Sequence, residues 1–195
     1  MKSKIRPIAV SGVLSAISFI LMFVDFSVPV IPSFVKMDVS DFPGLIGAFA
    51  LGPGYGAAIC FVKNVLHFIL DNSGTGGVGE LSNFVLSASF VVSAGIIYRL
   101  ERNKRGAVIG ALFGALVMGL ISIYSNMLVV YPFYYNIMPK DTILGMYQAI
   151  LPGVGSIEES LVIFNAPFTI AKGLICALIT IFIYKPVSPL IKGKR

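Results

Sequence analysis

Two lysines stand inside long apolar segments of this chain, where a charged side chain is costly. Lys63 and Lys172 are each the only charge in a run of more than twenty residues. An ammonium at mid-bilayer costs about 2.5–3.5 kcal/mol, so such residues usually face a cavity or pair with another group. For Lys63 the sequence favours pairing with an acid such as Glu80 or Asp71, or snorkelling toward an interface. Lys172 lies about 20 Å along its helix from Lys185, which favours a role in ligand binding.

Amide side chains occur in or at the ends of the same apolar segments: Asn64, Asn83, Asn126 and Asn165. Amides in a membrane either join helices or hydrogen-bond a ligand, and for each one singly both interpretations stay open. Thr169 lies three residues before Lys172, so the two share a helix face. Together these residues predict a polar pocket that opens outward. Aromatic walls for it, or ordinary interface residues, are found at Phe34, Tyr131, Phe133, Tyr134, Tyr135 and Phe168.

Motifs for catalysis and nucleotide binding are weak. Residues 74–79 formally match GxGxxG, but a dinucleotide site needs a preceding strand and a βαβ unit, and apolar segments flank this one. No GxxxxGK[ST] motif occurs, and no serine sits in a GxSxG context. His67 is the only histidine, which excludes the common two-histidine metal sites. The sequence therefore predicts no catalytic residue, no metal site and no enzyme.

Composition defines the elements that must position these side chains. Of the 195 residues, 56% are hydrophobic and 12% are charged, whereas soluble domains carry roughly 25% charged residues. This excludes a soluble globular domain, a disordered chain and a nucleic-acid-binding module. The prediction is an all-α, polytopic membrane protein with a single membrane-embedded domain over residues 1–195.

Six transmembrane helices are predicted, at about residues 7–24, 37–51, 55–70, 81–98, 107–130 and 161–184. The apolar stretch 42–70, broken by Gly-Pro-Gly at 52–54, could form one long helix or two. Two crossings are predicted, with a short second helix, because a single crossing would place the basic connection 99–105 outside. The segment 131–160 exceeds the usual loop length, which favours a functional lid or a partly helical cap.

The basic residues set the predicted orientation. Eleven of the 15 lysines and arginines lie in three segments: the N-terminus, the connection 99–105 and the C-terminus. Lys and Arg concentrate in cytoplasmic loops, so both termini are predicted to be cytoplasmic. On the first helix, Ala9, Gly12 and Ala16 form a stripe of small residues that allows close helix approach. Its partner is either a helix of this chain or another membrane subunit.

Several motifs together carry a family resemblance: FVKMDVSDFP at 34–43, GPGYG at 52–56, KNVLH at 63–67, GELSNF at 79–84, Asn126, YP at 131–132 and PFTIAKG at 167–173. In order and spacing they resemble the riboflavin-binding S component of energy-coupling-factor (ECF) transporters. The resemblance covers nearly the whole chain.

The resemblance implies six helices with cytoplasmic termini, in a bacterial plasma membrane. It also implies an external pocket for riboflavin as the transported ligand, with no cofactor, closed partly by the loop between the first two helices. Asn126 and Lys172 match positions that bind the isoalloxazine ring, while Thr169 falls where the family usually has Asn. The expected ligand-binding residues are Phe34, Met37, Asp38, Asn83, Asn126, Phe168, Thr169 and Lys172.

The implied partners are a transmembrane T component, docked on Ala9, Gly12 and Ala16, and two ATP-binding-cassette ATPases that hydrolyse ATP. The alternatives are an S component for another vitamin (flavin mononucleotide or thiamine), a membrane-embedded enzyme, and a structural membrane subunit that binds no ligand.

Overall fold

The computed structural model describes residues 5–71 and 75–192, with side chains up to 184. The helices in this part of the chain are α1 (Ile5–Met22), α2 (Phe42–Ala50), α3 (Pro53–Leu70), α4 (Val78–Leu100), α5 (Lys104–Tyr134), α6 (Lys140–Gln148) and α7 (157–192). A two-stranded antiparallel ribbon, β1 (Phe26–Ser27) and β2 (Lys36–Met37), lies in the α1–α2 connection. The predicted all-α class is confirmed, with this ribbon as a small addition.

Five of these helical stretches are long and apolar enough to cross a membrane: Ile5–Met22, Pro53–Leu70, Val78–Leu100, Lys104–Tyr134 and Ile157–Tyr184. The nine residues of α2 span only about 14 Å at 1.5 Å per residue, less than the roughly 30 Å hydrocarbon core. Six full crossings therefore stay a prediction. Cytoplasmic termini also stay a prediction, because the positions of the helices do not show which of their ends face the cytoplasm. Four of the charges behind this prediction, Lys2, Lys4, Lys194 and Arg195, lie outside the described residues, as does Gly74 of the glycine-rich motif.

The start of α2 differs from the sequence prediction. A helix from about residue 37 was expected, but Met37 belongs to β2 and α2 begins at Phe42, after Asp41 as N-cap and with Pro43 in its first turn. Proline favours the first helical turn because its missing N–H has no partner there anyway. The connection thus keeps residues 38–41 non-helical, which frees their side chains for the site described below.

The chain reverses between α2 and α3, as the Gly-Pro-Gly break predicts. Gly52 has a φ of 125°, a backbone conformation that residues with a Cβ rarely adopt. The two helices then pack closely: a Cβ placed on Gly56 would lie 2.7 Å from the Cβ of Ala48. Small residues likewise join α4 and α5, because a Cβ on Gly110 or Gly114 would fall within 2.7 Å of an α4 carbonyl oxygen.

Two π-helical segments interrupt the long helices, Asn126–Val130 in α5 and Leu161–Asn165 in α7. Single π turns are frequent at functional sites. Both helices also extend further than predicted, to Tyr134 and from Ile157. The α7 start is stabilised by Ser156, whose hydroxyl accepts the N–H of Glu159 at 3.1 Å. Between them α6 forms a short helical cap, in agreement with one of the two expectations for this segment.

Candidate ligand-binding site

A cavity of about 570 Å³ lies among α3, α4, α5, α7 and the α1–α2 connection. Its size is within the range of small-molecule sites. Seven of the eight predicted ligand-binding residues line it: Phe34, Asp38, Asn83, Asn126, Phe168, Thr169 and Lys172. Met37 is not among the described residues that line the cavity. It is 5% exposed, and its backbone pairs with Phe26 in the ribbon.

A lysine and an aspartate form the charged wall of the cavity. The Lys172 ammonium donates to Asp38 Oδ2 at 2.7 Å and lies 3.8 Å from Asp41 Oδ2. Burial alone would raise the pKa of Asp38, but Lys172 and Lys63 together hold that pKa below the usual carboxyl range. The carboxylate is therefore ionised, and it holds the ammonium beside the cavity.

Lys63 is fully buried behind this wall and extends the charge network. Its ammonium forms an ion pair with Asp41 and donates to Ser40 Oγ at 2.7 Å. The expectation of a paired lysine is confirmed, but the partner is Asp41 rather than Glu80 or Asp71. Asp41 was overlooked because it follows a proline-rich loop whose course the sequence does not define.

Four further hydrogen bonds fix the 38–41 segment, two within the segment and two to neighbouring helices. The Ser40 N–H and hydroxyl both donate to Asp38 Oδ1, at 2.8 and 2.5 Å. Ser87 of α4 donates to Asp41 Oδ1 at 2.5 Å, and Ser18 of α1 donates to the Ser40 carbonyl. Two lysines and two aspartates thus form a neutral buried cluster, called here the lysine–aspartate cluster (Asp38, Asp41, Lys63, Lys172). Together with Ser18, Ser40 and Ser87 it connects α1, α3, α4 and α7.

His67 and two acids line another part of the cavity. His67 Nδ1 lies 3.0 Å from Glu80 Oε1, and its Nε2 lies 3.3 Å from Asp71 Oδ2. Both acids proposed for Lys63 therefore contact the histidine instead. This arrangement joins the end of α3 to the start of α4 across the glycine-rich loop.

Amide and aromatic groups complete the walls. Asn126 begins the π segment of α5 and donates to the Ser122 carbonyl at 2.8 Å. Asn83 Oδ1 accepts from Ser87 at 3.0 Å. Phe34 projects from the α1–α2 connection and packs edge-on against Tyr134, with ring centroids 6.1 Å apart. The cavity therefore combines fixed hydrogen-bonding groups with aromatic walls, as a planar, polar heterocycle requires.

Asn165 and Tyr131 also line the cavity, although neither was among the eight expected ligand-binding residues. Tyr131 was named only as a possible aromatic wall. Asn165 stood only in the general set of membrane amides, although its spacing of four from Thr169 and seven from Lys172 already places the three on one helix face. Among the described residues, no group of three His, Cys, Asp or Glu side chains could hold a metal ion.

The fold and the cavity define the class: a membrane-embedded binding protein whose polar cavity is walled by its own helices and by one connecting loop. The chain belongs to the family of substrate-specific components of ECF transporters, because the model of that family matches residues 6–184. Members of this family are components of transporters and not enzymes.

Individual relatives align over almost their full length. The riboflavin transporter RibU of Staphylococcus aureus (strain TCH60) is 29% identical, covering 98% of this chain and 95% of that relative. The riboflavin transporter FmnP of Bacillus subtilis (strain 168) is 26% identical, covering 98% and 97%. A solved S component of a bacterial ECF transporter superposes with a TM-score of 0.76 at 28% identity, over 99% of this chain and 100% of that one.

Proposed function

We propose that this chain is the riboflavin-binding S component of an ECF transporter. The observation that carries the proposal is the composition of the cavity, in which an ammonium, several amides and aromatic rings face about 570 Å³. Riboflavin presents a planar ring with donors and acceptors and a hydroxyl-rich ribityl chain. The names of the two relatives, both riboflavin transporters, support the same ligand.

Each predicted residue has a proposed role in this complex. Lys172 and Asn126 donate to acceptors of the isoalloxazine ring, and Thr169 adds a hydroxyl on the same face as Lys172. Asp38 accepts from ribityl hydroxyls. Asn83 contributes an amide. Phe34 and Phe168 cover the ring, and Met37 packs behind the connection that carries Phe34.

The proposed transport cycle uses partners outside this chain. In a bacterial plasma membrane the chain captures riboflavin outside and closes the α1–α2 connection over it. It then docks on a transmembrane T component, and two ATP-binding-cassette ATPases drive the rearrangement that delivers the vitamin inward. The chain alone binds the vitamin but does not pump it.

The small-residue stripe of α1 is the proposed docking face. Ala9, Gly12 and Ala16 are all exposed, and a Cβ on Gly12 would meet nothing within 4 Å. The opposite face of α1 is the buried one, at Leu14 and Ser18. The stripe is therefore available to another helix.

Replacing Gly12 by leucine is expected to weaken assembly with the energising module, because close helix approach needs small residues. Flavin affinity of the isolated chain should stay unchanged. Co-purification with the module measures the first effect, and flavin titration the second. Val13→Leu, a change of one methylene at an already large exposed residue, is the control. Full assembly of the Gly12→Leu variant would contradict docking through this stripe.

The experiment that tests the proposed function is a ligand titration of the purified chain. Riboflavin, flavin mononucleotide and thiamine are added separately, following flavin fluorescence for the first two and calorimetry for thiamine. Quenching of riboflavin fluorescence at a 1:1 ratio, with weaker or no binding of the others, supports the proposal. Preferred binding of flavin mononucleotide or thiamine would contradict riboflavin as the ligand and assign that compound instead. If none of the three bound, the proposed function would be contradicted and the ligand would belong to another chemical class.

A further inference from the structure

A closed ring of hydrogen bonds connects the cap helix α6 with the cavity wall. Tyr147 of α6 donates to Asn165 Oδ1 at 2.7 Å, and Asn165 Nδ2 donates to the Tyr131 hydroxyl at 3.3 Å. The two tyrosine hydroxyls also contact each other, so each of the three side chains both gives and accepts one bond. Rings of this kind strengthen their members cooperatively. The Asn165 side chain is therefore held in one orientation.

This ring leaves one hydrogen-bonding group of Asn165 for another partner. A side-chain amide carries two N–H donors and one oxygen. The oxygen accepts from Tyr147, and Tyr131 takes one N–H, so among the residues that the structure describes a second N–H is available. Asn165 is only 4% exposed, yet it lines the cavity. A buried donor of this kind gains from an acceptor on a bound molecule, because an unmade buried hydrogen bond is costly.

The position of Asn165 along α7 places it beside the groups already assigned to the ligand. The π segment ends at Asn165, and from there regular helix carries Thr169 and Lys172 on the same face at spacings of four and three. All three line the cavity. This face of α7 thus presents an amide, a hydroxyl and an ammonium to the cavity, one after another along the helix.

Tyr147 acts on the site without lining it, at least among the described lining residues. Its ring is fully buried and packs against Phe164 at 5.4 Å and edge-on against Phe34 at 6.3 Å. Burial raises the pKa of Tyr147 to about 12, so its hydroxyl keeps the proton that it donates to Asn165. The cap helix thereby positions both the amide and the Phe34 connection.

We propose that Asn165 is a further specificity-determining residue, which donates its second N–H to a ring carbonyl of the flavin, and that Tyr147 is its positioning residue. This inference rests on the proposed function. It predicts that the cavity selects ligands with a strong acceptor at that carbonyl.

The test compares riboflavin with its 2-thio and 4-thio analogues, in which one ring carbonyl is replaced by a more weakly accepting thiocarbonyl. In the unchanged chain, one of the two analogues binds more weakly than riboflavin. In Asn165→Ala, riboflavin affinity falls about 3- to 10-fold, as loss of one hydrogen bond implies. The discrimination, meaning the ratio of the affinity for riboflavin to the affinity for that analogue, falls by at least about 3-fold. Asn136→Ala is the matched control, since Asn136 is an exposed amide that donates to the Pro132 carbonyl.

Tyr147→Phe provides a second variant, because it removes only the hydroxyl and keeps the ring packing. It should reduce the same discrimination, though less than Asn165→Ala does. A merely structural role would lower the affinities for riboflavin and both analogues by one common factor, leaving the ratios unchanged in both variants. That result would overturn the inference. Failure of the unchanged chain to bind any flavin would instead overturn the proposed function, so the two failures are distinguishable.

Discussion

Replacing Lys172 by methionine should weaken riboflavin binding about 10- to 100-fold. A hydrogen bond to a charged group contributes roughly 1.5–3 kcal/mol, and each 1.4 kcal/mol changes affinity about tenfold. Methionine keeps much of the length and apolar volume of lysine, so the change removes the ammonium more than the packing. Fluorescence titration of the purified variant measures the effect.

The control for this change concerns Asp38, whose carboxylate would lose its 2.7 Å partner. The double variant Lys172→Met, Asp38→Asn removes both charges, so its thermal stability should recover toward that of the unchanged chain while its affinity stays low. Lys172→Arg keeps the charge and should retain more affinity than the methionine variant. A folded Lys172→Met chain with undiminished affinity would remove Lys172 from the site.

The second large effect is expected on stability, from Lys63→Met. Lys63 and Asp41 are both fully buried, and the change leaves the Asp41 carboxylate without its main counter-charge. Removing one partner of a buried ion pair typically costs about 3–5 kcal/mol. With its serine partners the lysine–aspartate cluster also connects four helices, so its disruption should be seen as a clear loss of thermal stability in detergent.

Two further variants distinguish the stability lost by leaving a buried carboxylate unpaired from the stability lost by replacing a lysine in general. In Lys63→Met, Asp41→Asn the unpaired charge is gone, so much of the stability should return. Lys36→Met removes the lysine of an exposed pair with Asp25, in which the two side chains are 55% and 32% exposed. Such surface pairs contribute about 0–1 kcal/mol, so little change is expected. Equal losses for Lys36→Met and Lys63→Met would contradict the account of the cluster.

The parts of the fold that follow from hydropathy could be predicted from the sequence. Long apolar runs and the basic connection at 99–105 identify the main helices, because the membrane tolerates few charges and the cytoplasmic side collects the basic ones. The reversal at Gly52 could also be predicted, since glycine and proline together interrupt a helix. Lys172 was placed beside a cavity because an ammonium in an apolar helix needs a polar environment.

The remaining features depend on tertiary contacts that one sequence does not display. Lys63 had several acids within possible reach, and only the folded path of the α1–α2 connection brings Asp41 to it. The extensions of α5 over 131–134 and of α7 over 157–160 were missed because Pro132 and the acids Glu158 and Glu159 suggest that the apolar helices end before them. Asn165 could have been distinguished from the other amides by its spacing to Thr169 and Lys172. Its partner Tyr147, however, lies on the separate cap helix α6, and only the fold brings the two side chains together.

The central claim is that this chain holds riboflavin in the cavity between its helices. It is tested most directly by the absorption spectrum of the chain purified from cells grown with riboflavin, with the flavin quantified after extraction. We expect a yellow protein with one riboflavin per chain, and markedly less flavin in the Lys172→Met variant prepared in parallel. A colourless, folded protein that also fails to take up added riboflavin would contradict the account.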